Sequence, residues 1–103
     1  MKLLEGKKAI ITGGSEGIGY AIAEAFVKNG ADVIIISRNN KKLNKAAEKL
    51  SIYNKKVNTI SFDLSNLSKI STLTKEINLI YGQVDILVNN AASLAPNKFG
   101  VFF

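Results

Sequence analysis

Residues 11–22 read ITGGSEGIGYAI, and they place four glycines within seven residues, between an apolar run and a helix-like pattern. Glycine is unfavourable inside a strand or a helix, because it loses more conformational freedom on folding than any other residue. A tight turn without a ligand needs fewer glycines than this stretch contains. The sequence therefore predicts a turn at which a bound group comes close to a bare backbone.

The flanking sequence predicts a strand before these glycines and a helix after them. Residues 7–12 (KKAIIT) form a short β-branched run that ends at the glycines. From Gly17 onward the apolar residues follow the i, i+3, i+4, i+7, i+8 spacing of an amphipathic helix, which we expect to end near Asn29 and Gly30. Because a helix N-terminus exposes unpaired N–H groups and about half a positive charge, this strand–turn–helix unit predicts a phosphate site.

The rest of the chain repeats the alternation of strand and helix. Further strands are predicted at 32–37, 57–62 and 85–89, and further helices around 43–50 and 70–80. Asn66 and Ser68 are the candidate N-caps of the last helix. A strand without polar alternation, such as DVIIIS at 32–37, is typical of a parallel sheet covered on both faces. We therefore predict one α/β domain over 1–103, a Rossmann-type doubly wound parallel sheet with strand order 3-2-1-4 and three αβα layers.

The composition excludes several kinds of catalytic site. The chain has 103 residues and contains neither cysteine nor histidine. Without cysteine it can form no disulfide and no thiolate metal site, and without histidine it has no Ser-His-Asp triad and no common zinc site. Any acid–base chemistry falls to tyrosine, lysine, aspartate or glutamate, and we predict no metal site.

The net charge of +6 is spread along the chain, with lysine pairs at 7–8, 41–42 and 55–56. The three tyrosines are not interleaved with these pairs, as a stacking platform for nucleic acid would require, so we expect no nucleic-acid partner. A positive field suits a phosphorylated cofactor. No apolar run approaches the ~20 residues of a membrane span, and the N-terminus lacks the apolar centre of a signal peptide. We expect a cytoplasmic protein.

Three segments in the same order resemble the short-chain dehydrogenase/reductase family. They are the glycine turn TGGSEGIG at 12–19, FDLS at 62–65 and DILVNNAA at 85–92. The resemblance extends over nearly the whole chain, to about Pro96. It implies a dinucleotide cofactor and hydride transfer between its nicotinamide and a carbonyl or alcohol carbon of a small-molecule substrate. One departure is Ala92, which stands where the family has glycine.

The residues at the end of the second strand favour NADP over NAD. NAD sites usually place a carboxylate about 20 residues after the glycine turn, and this chain has Ser37 and Arg38 there instead. The planar guanidinium of Arg38 suits a 2′-phosphate, with Ser15 and Ser37 as nearby hydroxyl donors. The resemblance implies that Asp63 accepts a hydrogen bond from the adenine amino group. It also implies cofactor contacts at Leu64, Asn90 and Ala91. The full set of predicted cofactor-binding residues is thus Gly13, Ser15, Gly17, Ile18, Gly19, Ser37, Arg38, Asp63, Leu64, Asn90 and Ala91.

No catalytic residue is predicted within this chain. The family uses a tyrosine with a lysine four residues later, and none of Tyr20, Tyr53 and Tyr81 has that lysine. In the family these residues follow a fourth helix, so we expect a chain that stops at Phe103 to be the cofactor-binding half of a longer, homo-oligomeric oxidoreductase. The alternative is a nucleotide-binding module without catalysis.

Overall fold

The computed structural model describes residues 2–53 and 57–90 of the chain. Strands and helices alternate in the order β1 (Lys8–Thr12), α1 (Gly17–Lys28), β2 (Asp32–Ser37), α2 (Asn40–Leu50), β3 (Val57–Ser61), α3 (Ile70–Ile80) and β4 (Ile86–Asn89). Each predicted element is present, and β1, β3 and β4 are each one residue shorter than predicted. None of the helices in the described part of the chain is long and apolar enough to cross a membrane.

The four strands form one parallel sheet in the order β3-β2-β1-β4, as predicted. In the register of the sheet, Ile10 pairs with Ile34 on one side and with Leu87 on the other. β2 pairs with β1 and β3, and its four central residues are all buried. The continuous apolar run of β2 is thus explained by its inner position in a covered parallel sheet.

Helices cover both faces of this sheet, which confirms the three αβα layers. Alternate residues along each strand point to opposite faces. One face packs against α1 and α2, and its buried side chains include Ile11, Val33, Ile35, Val27 and Leu43. The other face packs against α3, and its buried side chains include Ile10, Ile34, Ile36, Ile60 and Leu73. The helices that follow β1 and β2 both lie on the first of these faces. Because the two strands are parallel, the loops that enter these helices leave the same edge of the sheet.

The N-terminus of α3 differs from the prediction. A short 3₁₀ turn, Leu67–Lys69, precedes the helix, so its N-cap position falls on Lys69. Asn66 begins the 3₁₀ turn instead, and its Oδ1 accepts a hydrogen bond of 2.8 Å from the Ser68 hydroxyl. The prediction that Asn66 or Ser68 caps α3 is wrong, because these two side chains bond to each other before the helix starts.

The amino edge of the sheet holds the acidic side chain of β2. Lys8 Nζ lies 3.1 Å from Asp32 Oδ2, and the Lys8 backbone N–H donates to Asp85 Oδ2 at 2.8 Å. Tyr81 packs beside them, where burial, with the charge of Asp32 as a smaller cause, raises the pKa of its phenol. Asp32 is therefore engaged in an ion pair at the edge of the sheet opposite to the glycine turn.

Candidate functional site

The predicted site residues of the described chain meet at the carboxyl edge of the sheet. Gly13 follows β1, Arg38 follows β2, Asp63 lies just beyond β3 and Asn90 follows β4. Ligands of doubly wound sheets bind in the crevice outside the carboxyl ends of the strands. In this sheet the strand order reverses between β1 and β4, so the crevice lies between the glycine turn and Asn90.

The glycine turn has the backbone conformation that its sequence predicts. Gly17 has a φ of +61°, in the left-handed region that side chains disfavour, and α1 begins at this residue. A Cβ on Gly19 would lie 2.0 Å from the carbonyl oxygen of Gly13 and 2.6 Å from Asn90 Nδ2. The first turn of α1 can therefore pack directly on the strand end only because residue 19 has no side chain.

The N-terminus of α1 is free to bind an anion. Its N-cap residue, Glu16, has extended backbone angles and makes no capping hydrogen bond through its side chain. No acidic residue lies in the first turn. The first N–H groups of a helix have no partner within the helix, and the helix dipole adds positive potential there. Ile18 in this turn is 73% exposed, which places an apolar side chain beside the free N–H groups.

Hydrogen bonds of Thr12 tie the turn to β4. The Thr12 hydroxyl lies 3.1 Å from Asn89 Oδ1, and it accepts a bond of 2.9 Å from the Asn90 backbone N–H. Asn90 Nδ2 donates to the Gly13 carbonyl oxygen at 3.2 Å. Asn89 thus joins β4 to β1, and the side-chain amide of Asn90 holds the turn itself. Thr12 in this role was not predicted, because its contacts join segments 76 to 78 residues apart.

A polar cavity of ≈ 420 Å³ opens beside the glycine turn. Its lining residues are Glu16, Ser37, Arg38, Asn39 and Lys42. The Ser15 hydroxyl donates to the Ser37 hydroxyl at 3.3 Å, which joins the turn to the end of β2. Asn39 caps α2 by accepting a hydrogen bond of 3.0 Å from the Lys42 backbone N–H. The structure thus brings together Ser15, Ser37 and Arg38, three of the predicted cofactor-binding residues.

One acidic side chain in this cavity was missed by the sequence reasoning. No acid follows β2 in the sequence, but Glu16 reaches the same cavity from the glycine turn. Its Oε1 lies 2.5 Å from Lys42 Nζ. The spacing rule for an acid after the second strand could not find it, because Glu16 lies in the turn itself, 26 residues from its partner.

Asp63 and Leu64 have separate roles at the end of β3. Asp63 Oδ1 accepts hydrogen bonds from the Ser65 hydroxyl at 2.7 Å and from the Ser65 backbone N–H at 2.9 Å. These two bonds, with a smaller contribution from the charge of Arg38, hold the pKa of Asp63 below its usual value. Leu64 packs against the α3 side of the core. The Asp63 carboxylate is thus held ionised and exposed at the site's rim.

Replacing Ser65 by alanine should raise the pKa of Asp63, because the larger of its two stabilising bonds comes from the Ser65 hydroxyl. A depressed pKa stabilises the folded state above the unfolded-state value of about 3.9, and this stabilisation is lost as the pH falls through the folded-state pKa. NMR titration of the Asp63 carboxyl carbon measures the change. Ser68→Ala is the control, and an Asp63 pKa unchanged in Ser65→Ala would contradict the assignment.

These features fit a dinucleotide. The first N–H groups of α1 lie at a turn with no side chain at Gly19, where they could bind an anion, and the cavity of Arg38 and Lys42 offers a second candidate anion site beside it. Two anion sites at one sheet edge match the pyrophosphate and the ribose end of such a ligand. Ala91 and the departure at Ala92 lie outside the described residues. The chain thus has a Rossmann-type doubly wound fold with two candidate anion sites at the carboxyl edge of its sheet.

The chain belongs to the short chain dehydrogenase family, whose model it matches over residues 7–102. It is 42% identical over 91 residues to a peroxisomal 2,4-dienoyl-CoA reductase of Danio rerio, covering 87% of this chain and 30% of the relative. It also resembles two solved structures. One is L-sorbose reductase from Gluconobacter frateurii complexed with NADPH and L-sorbose, with 36% identity, a TM-score of 0.83 and coverage of 90% of this chain and 36% of that one.

The other solved structure is the RhlG/NADP active-site complex of Pseudomonas aeruginosa. It shares 37% identity with this chain at a TM-score of 0.81, over 87% of this chain and 36% of that one. The chain therefore spans about a third of the length of the relatives it matches.

Proposed function

We propose that the protein is an NADP-dependent oxidoreductase, of which this chain supplies the cofactor-binding half. One observation carries the proposal: the cavity that contains Arg38 and Lys42 opens beside the free N-terminus of α1. The site thus offers positive charge both where a pyrophosphate and where a 2′-phosphate of one ligand would lie. Bound NADPH would supply the hydride, and the residues of this chain would hold and orient it.

Each part of the cofactor has candidate partners among the described residues. The N–H groups of Gly17, Ile18 and Gly19 would bind the pyrophosphate. Arg38, with the hydroxyls of Ser15 and Ser37, would bind the 2′-phosphate, since a guanidinium donates two parallel bonds to phosphate oxygens. The ionised Asp63 is a hydrogen-bond acceptor suited to the adenine amino group.

The relatives support this proposal for cofactor and reaction. The sorbose reductase structure contains NADPH, the Pseudomonas structure contains NADP, and the zebrafish relative is a reductase. We propose a small molecule with a carbonyl or alcohol group as the substrate. A cytoplasmic location, a homo-oligomeric assembly, the single domain over 1–103 and the lack of a nucleic-acid partner stay predictions.

Two ligands that differ only in the 2′-phosphate test the proposal that the cavity of Arg38 binds this phosphate. We expect adenosine 2′,5′-bisphosphate to bind at least about tenfold more tightly than 5′-AMP, because hydrogen bonds to charged groups contribute about 1.5–3 kcal/mol each. Calorimetric titration of the purified protein measures both affinities, and NADPH should displace the bisphosphate. Equal affinities would contradict the assignment of the cavity to the 2′-phosphate.

A further inference from the structure

Glu16 and Lys42 form an ion pair across the opening of the cavity. The carboxylate belongs to the N-cap residue of α1, and the ammonium belongs to the first turn of α2, at a distance of 2.5 Å. Their side chains remain 62% and 53% exposed, and both residues line the cavity. The pair is therefore in contact with solvent, and its lysine belongs to the second anion site described above.

The placement of Glu16 is unusual in two respects. An acidic residue at an N-cap can accept hydrogen bonds from the helix N–H groups and benefits from the helix dipole. Glu16 makes no such bond and extends to Lys42 instead. A carboxylate in this position also repels a phosphate in the same cavity, at an energy that the exposed setting keeps small.

This ion pair engages the ammonium group of Lys42, the second cation of the cavity in which we place the 2′-phosphate. Lys42 shares the cavity with Arg38, and Arg38 forms no ion pair with any residue in 2–53 or 57–90. A phosphate in the cavity would meet a guanidinium that is available and an ammonium that is already paired. Exchange of Lys42 from the carboxylate to the phosphate would leave Glu16 unpaired beside a new negative charge.

We propose that Glu16 is a specificity-determining residue, which competes with the 2′-phosphate of NADPH for Lys42 and so limits the preference for NADPH over NADH. This inference rests on the proposed function. Without the 2′-phosphate, a ligand leaves the Glu16–Lys42 pair intact. Glu16 therefore lowers the affinity for NADPH selectively.

Replacing Glu16 by glutamine tests the proposal. We expect NADPH to bind roughly three- to fivefold more tightly to Glu16→Gln, since exposed ion pairs contribute up to about 1 kcal/mol. The affinity for NADH should change by less than about twofold. Glu48→Gln, an equal change of charge at an exposed position of α2, is the matched control and should leave both affinities unchanged. Nucleotide fluorescence gives the dissociation constants, and circular dichroism verifies that each variant is folded.

The double variant Glu16→Gln/Lys42→Met separates competition for Lys42 from simple repulsion. If Glu16 acts by holding Lys42, the gain from Glu16→Gln disappears in the Lys42→Met background. An equal gain in both backgrounds, or no gain in either, would overturn the inference and leave the proposed function standing. If the unmodified protein bound neither NADPH nor NADH, the proposed function and this inference would both fail.

Discussion

Replacing Gly19 by alanine is expected to weaken NADPH binding by at least about tenfold and to destabilise the fold by about 1–3 kcal/mol, the usual cost of overpacking. The new Cβ would lie 2.0 Å from the Gly13 carbonyl oxygen and 2.7 Å from the Gly13 carbonyl carbon. Both are backbone atoms, so the clash cannot be relieved by a change of rotamer. The first turn of α1 must move, and its phosphate-binding N–H groups move with it.

Gly82→Ala is the matched control, because a Cβ at Gly82 would meet no atom of residues 2–53 and 57–90 within 4 Å. Thermal unfolding and NADPH titration of the two variants give the two effects separately. A loss of about 1 kcal/mol lowers the unfolding midpoint of a domain this size by roughly 4–8 °C. Wild-type affinity in Gly19→Ala would show that the close packing of α1 on the strand end does not form the cofactor site.

The architecture could be predicted from the sequence because its signals are local. The apolar run Asp32–Ser37 and the helical spacing after Gly17 depend on neighbouring residues, and they fixed the type and order of the elements. The glycines predicted a turn with a bare backbone, and at Gly19 the structure shows that a side chain would meet the Gly13 backbone. The order of the strands followed from the topology of doubly wound sheets.

The structural features that were not predicted from the sequence depend on contacts between distant segments or on local hydrogen bonds that compete with one another. The Glu16–Lys42 pair joins the N-cap residue of α1 to the first turn of α2, and its formation depends on how these two helices lie on one face of the sheet. Thr12 likewise bonds to β4. The N-cap of α3 was predicted wrongly for a local reason. Asn66 and Ser68 are both residue types that favour N-cap positions, but here their side chains bond to each other at a 3₁₀ turn. Residue type alone does not decide between such partners.

Charge reversal at Arg38 is expected to produce the largest change in cofactor preference. In Arg38→Asp we expect NADPH to bind about 100-fold more weakly, because the variant loses charge-assisted bonds worth about 1.5–3 kcal/mol each and places a carboxylate against the 2′-phosphate. NADH affinity should change by less than about threefold, since its ribose carries a hydroxyl that a carboxylate can accept from. Titrations with both nucleotides measure the reversal.

Two further variants show whether the loss of NADPH preference is specific to a charge change at Arg38. Lys75→Asp makes the same change of net charge on exposed α3, across the sheet from the cavity, and should leave the preference unchanged. Arg38→Lys keeps the charge without the planar fork, and its affinity should lie between those of the wild type and Arg38→Asp. Arg38→Asp should also raise the pKa of Asp63, which the charge of Arg38 lowers. A raised Asp63 pKa with an unaltered preference for NADPH would mean that the substituted side chain reaches the cavity but that the 2′-phosphate binds elsewhere.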